Sequence, residues 1–305
     1  MITLKLPRTY SQYHDFDSDY NFAAKAGFQL SNAQITDTEQ FVSWMVSGNF
    51  YEVGSGKTVV STVVSLMGGN ELTIVVVPPI LITPWVRWLH KVSERVVEFR
   101  GTPVKRKAID LSRARWIVVS HALFRDEFER LYAELYSRNV AQVIVDEAHA
   151  IKNVDSKLFL RVEEAVYSSD IYITNRKGDR VKLVGAKVEP KKSLLALTGT
   201  PISKPLDAYA YISLKTPQRY RSFQQVESLY VAERDFFGSI TKYKNLDKLA
   251  ADFSLQTITR TKEEIHGYNN PPHYPEAAYN LSDAHYKLYS KLVEEQLLQF
   301  DDGLK

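Results

Sequence analysis

Short, nearly continuous apolar runs recur along the chain and alternate with amphipathic stretches. Such runs are typical of strands buried on both faces of a parallel sheet, because helices then cover both faces. The intervening stretches have the spacing of helices that bury one side. We therefore predict an α/β fold, a central and mostly parallel sheet with helices on both faces. The predicted strands lie near residues 48–52, 72–77, 116–120, 142–145 and 194–198.

The sequence also indicates where several helices begin. Thr36 and Glu39 have the spacing of a capping box, which predicts a helix from there to about residue 46. Thr83 is the expected cap of another helix, with Pro84 in its first turn. Further helices are predicted over residues 59–67, 124–137 and 156–166.

A glycine-containing turn joins the first predicted strand to a helix, in the stretch FYEVGSGKTVV at residues 50–60. Glycines leave room for a backbone whose N–H groups point inward at phosphate, and the helix dipole favours the same anion. Lys57 supplies a charge for the β- and γ-phosphates, and Thr58 a hydroxyl for Mg²⁺. The full pattern has a glycine where this chain has Tyr51, so a chance glycine-rich turn is the alternative. The predicted nucleotide-binding residues are Gly54, Ser55, Gly56, Lys57, Thr58 and Val59.

Two adjacent carboxylates follow the fourth predicted strand, in the stretch AQVIVDEAH at residues 141–149. The carboxyl ends of parallel strands are where such sheets present functional groups. Asp146 is placed to hold Mg²⁺, and Glu147 to orient and deprotonate the attacking water. A solvated acidic turn is the alternative, but the phosphate loop upstream favours hydrolysis of a nucleoside triphosphate by Lys57, Asp146 and Glu147.

At this point the chain resembles a known family. The string Asp-Glu-Ala-His at residues 146–149 resembles the DEAH box of superfamily 2 helicases. The phosphate loop resembles that of the Swi/Snf branch, in which an acidic residue precedes the loop and the same glycine is missing. Similar segments stand in the family's order at residues 79–85, 117–121, 197–202 and 259–264. The resemblance runs from about Asp37 to the C-terminus.

The resemblance implies a RecA-like lobe that binds ATP and Mg²⁺ and tracks one strand of DNA. Gln40 is expected to open the helix before the loop and to read the adenine edge; a surface glutamine is the alternative. Thr83 and Ser120 would contact DNA phosphates, although both side chains are equally suited to a helix cap or a strand end. Trp85 and Trp88 are expected in the core. The residues implied to couple the ATP site to the nucleic-acid face are His149, Thr198 and Thr200.

The family also implies how the chain is divided. Residues 36–281 are the implied first RecA-like lobe, and residues 282–305 a helix that leads to a second lobe. Residues 1–35 are rich in tyrosine and aspartate, which predicts an accessory segment, with a DNA-handling appendage as the alternative. That second lobe carries paired arginines in the family, and no matching string occurs here. Such an arginine is worth about 10³–10⁵ in rate, so we expect weak ATP hydrolysis by this chain alone. A longer protein or a partner chain would supply the second lobe.

An insertion at about residues 171–188 separates the acid pair from the segment at 197–202. Two alternating runs flank a turn rich in Asn, Gly and Asp, which predicts a β-hairpin. Basic residues outnumber acidic ones there. We hypothesise that Arg176, Lys177 and Arg180 contact or split duplex DNA at a junction; a solvated insertion is the alternative.

Composition narrows the class of protein. Lys and Arg number 39 against 36 Asp and Glu, a net charge of +3, so any DNA-binding face is a local patch. The absence of cysteine excludes disulfides and thiolate metal sites. The longest apolar run is broken by Pro78 and Pro79 and is too short to span a bilayer. The N-terminus lacks a signal-peptide hydrophobic region. We expect a cytoplasmic protein, in a nucleoid or a host cytoplasm, with no membrane partner.

The predicted function is that of an ATP-dependent DNA helicase or translocase that acts on forks or junctions in repair or recombination. By analogy, the compact layout suggests a bacterial or phage repair or recombination enzyme, such as a branch-migration helicase. The motor subunit of a restriction or remodelling complex is one alternative. A regulatory lobe that binds nucleotide or DNA without turnover is another. The complete set of Lys57, Thr58, Asp146 and Glu147 argues against that last alternative, because a retired ATPase has no chemical reason to keep all four.

Overall fold

The computed structural model describes residues 27, 29–168, 172–174, 180–182, 189–267 and 290, the two short segments in backbone only. The strands in this part of the chain are β1 (Val46–Asn49), β2 (Leu72–Val77), β3 (Val96–Phe99), β4 (Trp116–Ser120), β5 (Ala141–Asp146), β6 (Tyr172–Thr174), β7 (Arg180–Lys182), β8 (Ser193–Leu197), β9 (Val231–Arg234), β10 (Ile240–Tyr243) and β11 (Thr257–Ile258).

Seven of these strands form one sheet in the order β11-β1-β8-β5-β2-β4-β3. Every pairing within it is parallel. The two hairpins, β6 with β7 and β9 with β10, are antiparallel and stand outside this sheet. The predicted α/β class with a parallel sheet is therefore confirmed.

The helices of the described residues connect the strands. They are α1 (Asn32–Ser43), α2 (Lys57–Met67), α3 (Ile82–Leu89), α4 (Pro103–Lys107), α5 (His121–Asp126), α6 (Phe128–Tyr136), α7 (Lys157–Tyr167), α8 (Ala208–Lys215), α9 (Phe223–Tyr230), α10 (Leu246–Ser254) and α11 (Lys262–His266). In the described ranges, every helix is too short or too polar to cross a lipid bilayer.

Alternate residues of the central strands enter two separate apolar clusters. On β2, Ile74 belongs to a cluster that also includes Phe128 of α6 and Phe159 of α7. Val75 belongs to the other cluster, with Val60 of α2 and Trp85 of α3. Because successive side chains of a strand point to opposite faces, helices cover both faces of the sheet. This double cover explains why the central strands are mostly apolar on both faces.

Two strands of the seven-stranded sheet escaped the sequence prediction, as did the separate hairpin of β9 and β10. The edge strand β3 is only half-buried over most of its length and includes Glu98, so it lacks the continuous apolar character of its neighbours. The strand β11 has only two residues and is defined by its pairing with Gly48 and Asn49 of β1. Both strands depend on tertiary pairing more than on local sequence.

Three helix predictions were wrong in detail. The helix α1 begins at Asn32 with a capping box between Ser31 and Gln34, upstream of the predicted Thr36. The expected long helix at 124–137 is split at Glu127. There Arg106 donates two hydrogen bonds to the Glu127 carboxylate at 2.9 and 2.7 Å, a tertiary contact that local sequence does not indicate. The third error is the helix cap predicted at Thr83, which is also a candidate DNA contact.

Candidate nucleotide site

Strand register brings the predicted motifs to one edge of the sheet. Asn49 at the end of β1 and Asp146 at the end of β5 both pair with Leu197 at the end of β8. Parallel strands present their carboxyl ends at the same edge. The phosphate loop, the acid pair and the segment beginning at Thr198 therefore leave the sheet side by side, as the sequence predicted.

The turn between β1 and α2 has the backbone shape of an anion cradle. Gly54 and Gly56 adopt positive φ angles of 85° and 84°, which side chains other than glycine rarely tolerate. A Cβ atom at Gly56 would lie 2.7 Å from Nε2 of Gln34, so a larger residue there would push that side-chain end aside. Helix α2 begins at Lys57 without a side-chain cap, which leaves its first N–H groups available to an anion.

Ser55 adds a second indication of a ligand in this loop. Its hydroxyl is buried and has no hydrogen-bond partner among the described residues. A buried polar group without a partner is rare and calls for a ligand or water to satisfy it. Val59, the last predicted residue of the loop, is buried within α2 and packs in the apolar core. Its amide, and not its side chain, is the part suited to phosphate.

Lys57 lies between the loop and the acid pair. Its ammonium donates to the backbone carbonyls of Tyr51 at 2.9 Å and Glu52 at 3.1 Å. Burial lowers the pKa of Lys57, and the charges of Asp146 and Glu147 act in the opposite direction. Since such charge effects require proximity, the amine and both acids gather in one place. The γ-phosphate of a triphosphate would give this ammonium a charged partner.

Asp146 is held by three parts of the fold. Its Oδ1 accepts from the amide of Glu147 at 2.9 Å, and its Oδ2 from the indole Nε1 of Trp85 at 2.8 Å. The imidazole Nε2 of His121 lies 2.9 Å from its backbone carbonyl oxygen. Burial raises the pKa of the Asp146 carboxyl, while the hydrogen bonds from Trp85 and the Glu147 amide and the charge of Lys57 oppose that rise. The carboxylate is thus fixed in position beside a cation.

The residues suited to Mg²⁺ are Asp146 and Thr58. Thr58 is half-buried in the first turn of α2, and together the two residues offer only oxygen ligands, which Mg²⁺ prefers. The described residues contain no group of three or more acidic or histidine side chains that would hold a metal by themselves. This donor set fits an ion that arrives with a nucleotide, because Mg²⁺ commonly combines one or two protein ligands with phosphate oxygens.

Glu147 combines an unusual backbone with an accessible carboxylate. Its φ and ψ angles are 51° and 50°, in the left-handed region that non-glycine residues seldom adopt. Such conformations cluster at functional sites, where the surrounding structure enforces them. Its side chain is 38% exposed, and Oε2 lies 3.2 Å from Nδ1 of His149. A carboxylate presented in this way can reach a water molecule. The predicted link from His149 to Thr198 and Thr200 stays a prediction.

The segment after β8 lies against the phosphate loop. The buried Thr198 donates its amide to the Asn49 carbonyl at 3.3 Å and accepts the Thr200 amide on its hydroxyl at 3.1 Å. A Cβ atom at Gly199 would lie 3.1 Å from Cγ2 of Val53. A larger residue at 199 would therefore press on the loop, and any shift of this segment reaches the nucleotide site through Val53.

Tyr51, which stands where the full loop pattern has glycine, has a structural role. Its ring is completely buried, and its hydroxyl donates to Oδ2 of Asp37 at 2.7 Å. Asp37 also accepts two hydrogen bonds from the Arg260 guanidinium, at 2.9 and 2.7 Å. Burial and Asp37 together raise the pKa of Tyr51. This Tyr51–Asp37–Arg260 cluster joins α1, the phosphate loop and the segment before α11, and the Arg260 carbonyl accepts the amide of Glu52 at 2.8 Å.

Replacing Asp37 with asparagine should lower both stability and ATP affinity. The Asp37 side chain is 1% exposed and that of Arg260 is 31% exposed, so the arginine regains water when the pair is broken. We expect a loss of about 2 kcal/mol in unfolding free energy, below the range for fully buried pairs. Urea titration measures the stability, and fluorescence titration with labelled ATP measures the affinity.

The chain contains a matched control for that variant. Asp252 accepts two hydrogen bonds from Arg219, at 3.0 and 2.8 Å, and a third from the hydroxyl of Tyr220. This second cluster has the same composition and does not touch the loop. Asp252→Asn should lower stability and leave ATP affinity unchanged. Equal effects of the two variants on ATP affinity would contradict a specific role of Asp37 in shaping the loop.

Gln40 is not where the resemblance implied. It does not open α1; it lies near the exposed end of that helix, and no contact within the described ranges joins it to the loop. Gln34 instead reaches the loop, where its Nε2 donates to the Ser55 carbonyl at 3.0 Å. Its spacing from Ser31 was the available signal, since the two form the capping box of α1. The surface alternative for Gln40 fits the structure better.

The candidate DNA-contacting residues are only partly described. Thr83 is half-buried inside the first turn of α3 and is not its cap, because a 3₁₀ turn at Pro79–Leu81 leads directly into that helix. Ser120 is the cap of α5 and accepts the Leu123 amide at 3.2 Å. The predicted hairpin is present as β6 and β7, with Thr174 paired to Arg180. Arg176 and Lys177 lie outside the described residues, as does the side chain of Arg180. Contacts of all five with DNA stay predictions.

Comparisons with known proteins agree with this geometry. Mouse DNA annealing helicase and endonuclease ZRANB3 is 25% identical over 225 residues, which are 70% of this chain and 19% of that protein. Human chromodomain-helicase-DNA-binding protein 7 is 24% identical over 271 residues, 83% of this chain and 8% of that protein. No protein-family model matches the chain.

A solved structure shares the fold. The Sulfolobus solfataricus SWI2/SNF2 ATPase core in complex with dsDNA aligns with a TM-score of 0.56 and 21% identity, over 77% of this chain and 45% of that one. The chain thus spans less than half the length of each of these relatives. The likeness extends over most of the chain and supports the RecA-like fold.

Proposed function

We propose that this chain, a Swi/Snf-like superfamily 2 lobe, is the ATP-binding half of a motor that translocates on or remodels DNA. The observation that carries the proposal is the convergence of Lys57, Asp146 and Glu147 at one edge of the sheet. The relatives give the DNA part of the proposal: ZRANB3 is a DNA annealing helicase, and the solved SWI2/SNF2 core is bound to dsDNA.

Each residue of the site has a proposed task. The loop amides and Lys57 hold the phosphates of ATP, and the Thr58 hydroxyl and the Asp146 carboxylate are suited to Mg²⁺. The metal would supply charge neutralisation at the phosphate oxygens. Glu147 orients the attacking water and accepts its proton, and the nearby His149 imidazole steadies that carboxylate. The Tyr51–Asp37–Arg260 cluster keeps the loop in shape.

We propose that turnover needs a second RecA-like lobe, supplied by a longer protein or by a partner chain. Among the described residues, Arg260 beside the loop is already engaged by Asp37. An arginine that stabilises the transferring phosphoryl group contributes about 10³–10⁵ in rate. This chain should therefore bind ATP well and hydrolyse it slowly. We further propose that the motor separates strands, prefers forks or junctions and acts in repair or recombination. We also propose a cytoplasmic location.

The structure also suggests how DNA would influence the ATP site. Helix α3 contains both Thr83, a candidate phosphate contact, and Trp85, whose indole donates to Asp146. Trp85 is 2% exposed, so the helix and the carboxylate are joined through the core. A small displacement of α3 on DNA would move the hydrogen bond that orients Asp146. We propose Trp85 as a positioning residue that links the two sites.

The test is DNA-stimulated phosphate release by the complete gene product. Duplex DNA should accelerate release in the parent protein, and Trp85→Phe should reduce that acceleration about tenfold more than the basal rate, since a buried hydrogen bond to a charged group is lost. Trp88→Phe is the matched control, because Trp88 donates to Thr62 at 2.9 Å and not to an acid. If DNA does not change the rate of phosphate release by the parent protein, the chain is instead a regulatory lobe and not part of a motor.

A further inference from the structure

Two phenylalanines are almost fully exposed at the tip of the hairpin formed by β9 and β10. Phe236 is 97% exposed and Phe237 is 88% exposed, the highest values among the large apolar side chains of the described residues. Isolated apolar residues on a surface need no explanation, but a concentrated apolar patch commonly marks a binding site. Neither residue takes part in the nucleotide site.

The turn that presents these rings is well fixed. The Asp235 carboxylate accepts the amides of Phe237 at 3.0 Å and Ser239 at 2.8 Å. The Gly238 carbonyl accepts from the Arg234 guanidinium at 2.7 Å. The two rings stand nearly perpendicular, at 85°, with centroids 5.6 Å apart. The exposed tip is therefore an ordered feature that presents one aromatic face and one aromatic edge.

The base of the hairpin is anchored in the protein. Val231, Ile240 and Tyr243 pack against an apolar cluster that includes Tyr230 and Leu249. The Lys244 amide donates to the Tyr230 carbonyl at 2.8 Å and extends this attachment. A force on the tip is thus transmitted to the lobe, as a motor that pushes against its substrate requires.

We propose that Phe236 and Phe237 form a wedge that stacks on unpaired or unstacked DNA bases at a junction. This inference rests on the proposed function as a DNA motor. Apolar side chains that enter between bases need only a narrow aromatic surface. Two aromatic side chains offer at most about 500 Å², below the roughly 800 Å² that each partner buries in a stable protein interface.

The surroundings of the tip also favour nucleic acid over a protein partner. On the strands beside the tip, Arg234 is paired with Glu227 at 2.6 Å and Lys242 with Glu233 at 3.1 Å. Exposed pairs of this kind contribute little free energy, so neither cation is firmly fixed to its glutamate. The tip lacks the broad apolar border that a protein interface would need, because exposed charged residues flank both rings.

The experiment compares the affinity of the complete gene product for forked DNA and for fully paired duplex by fluorescence anisotropy. The double variant Phe236→Ala/Phe237→Ala should bind forked DNA about 10-fold more weakly, the loss expected for one stacked base. Its affinity for duplex should not change. Replacement of both residues with tryptophan should keep the fork affinity, whereas replacement with leucine should lose it. Val104→Ala, which alters another exposed apolar residue at 79% exposure, is the surface control.

The outcomes are distinct. Unchanged fork affinity in the alanine variant, or full affinity in the leucine variant, overturns base stacking. Loss of self-association in the alanine variant, with fork affinity unchanged, would assign the tip to a protein contact and would also overturn the proposal. A parent protein that binds neither DNA would overturn the proposed function together with this inference. Duplex binding and DNA-stimulated phosphate release without any preference for forks would overturn the wedge alone.

Discussion

Replacement of Lys57 with alanine is expected to abolish measurable ATP binding by this chain. The ammonium is half-buried between the loop carbonyls and the two acids. Its removal leaves Asp146 and Glu147 without the nearby cation, so their negative charges repel a triphosphate. We expect a loss of at least about 100-fold in affinity, because a charged hydrogen bond is lost and repulsion is added. Calorimetric titration with ATP in the presence of Mg²⁺ measures it.

Lys248→Ala serves as the control for this experiment, since Lys248 is an exposed lysine on α10. Thermal unfolding of the Lys57 variant should be recorded in parallel, because the lysine also holds two loop carbonyls. ATP binding of undiminished strength by a folded Lys57→Ala protein would place the nucleotide elsewhere. That result would remove the basis of the proposed motor function.

Replacement of Glu147 with glutamine is expected to separate ATP binding from hydrolysis. Glutamine keeps the size of the side chain and one oxygen, but it cannot accept a proton from water. Phosphate release by the complete gene product with DNA should fall by about 10²–10⁴, the contribution of a general base. ATP affinity should stay within about twofold of the parent value, because the phosphates are held mainly by the loop amides and Lys57.

The control for Glu147 is Glu129→Gln, whose side chain is 81% exposed on α6. It should release phosphate at the parent rate. Phosphate release that persists in Glu147→Gln would show that another group activates the water. Loss of ATP binding in that variant would show that Glu147 supports the loop and is not the base.

Local sequence predicts the strands that helices cover on both faces. The strands β2 and β4 have the predicted bounds because helices cover both of their faces and most of their positions are therefore apolar. The short strand β11 and the edge strand β3 depend on pairing with distant strands. The start of α1 likewise depends on a contact with a distant residue. The structure uses the capping box of Ser31 and Gln34, and the Gln34 side chain also contacts Ser55.

The candidate site was predictable where one short segment contains the necessary groups. Lys57 and Thr58 follow the loop glycines, and Asp146 and Glu147 follow a single strand. The residues that sequence reasoning missed act across the chain. Asp37 and Arg260 are separated by 223 positions, and Trp85 and Asp146 by 61. Trp85 was expected in the core and is buried there. Its indole N–H also donates to Asp146, and this contact gives Trp85 a role at the site.

The central claim is that Lys57, Thr58, Asp146 and Glu147 surround a single magnesium–ATP complex. Calorimetric titration of ATP into the chain, with Mg²⁺ and then with a chelator, tests it most directly when the parent protein is compared with Asp146→Asn. Mg²⁺ is expected to strengthen ATP binding by the parent protein and to have little effect on ATP binding by the variant. Equal ATP affinity with and without Mg²⁺ in the parent protein would contradict it.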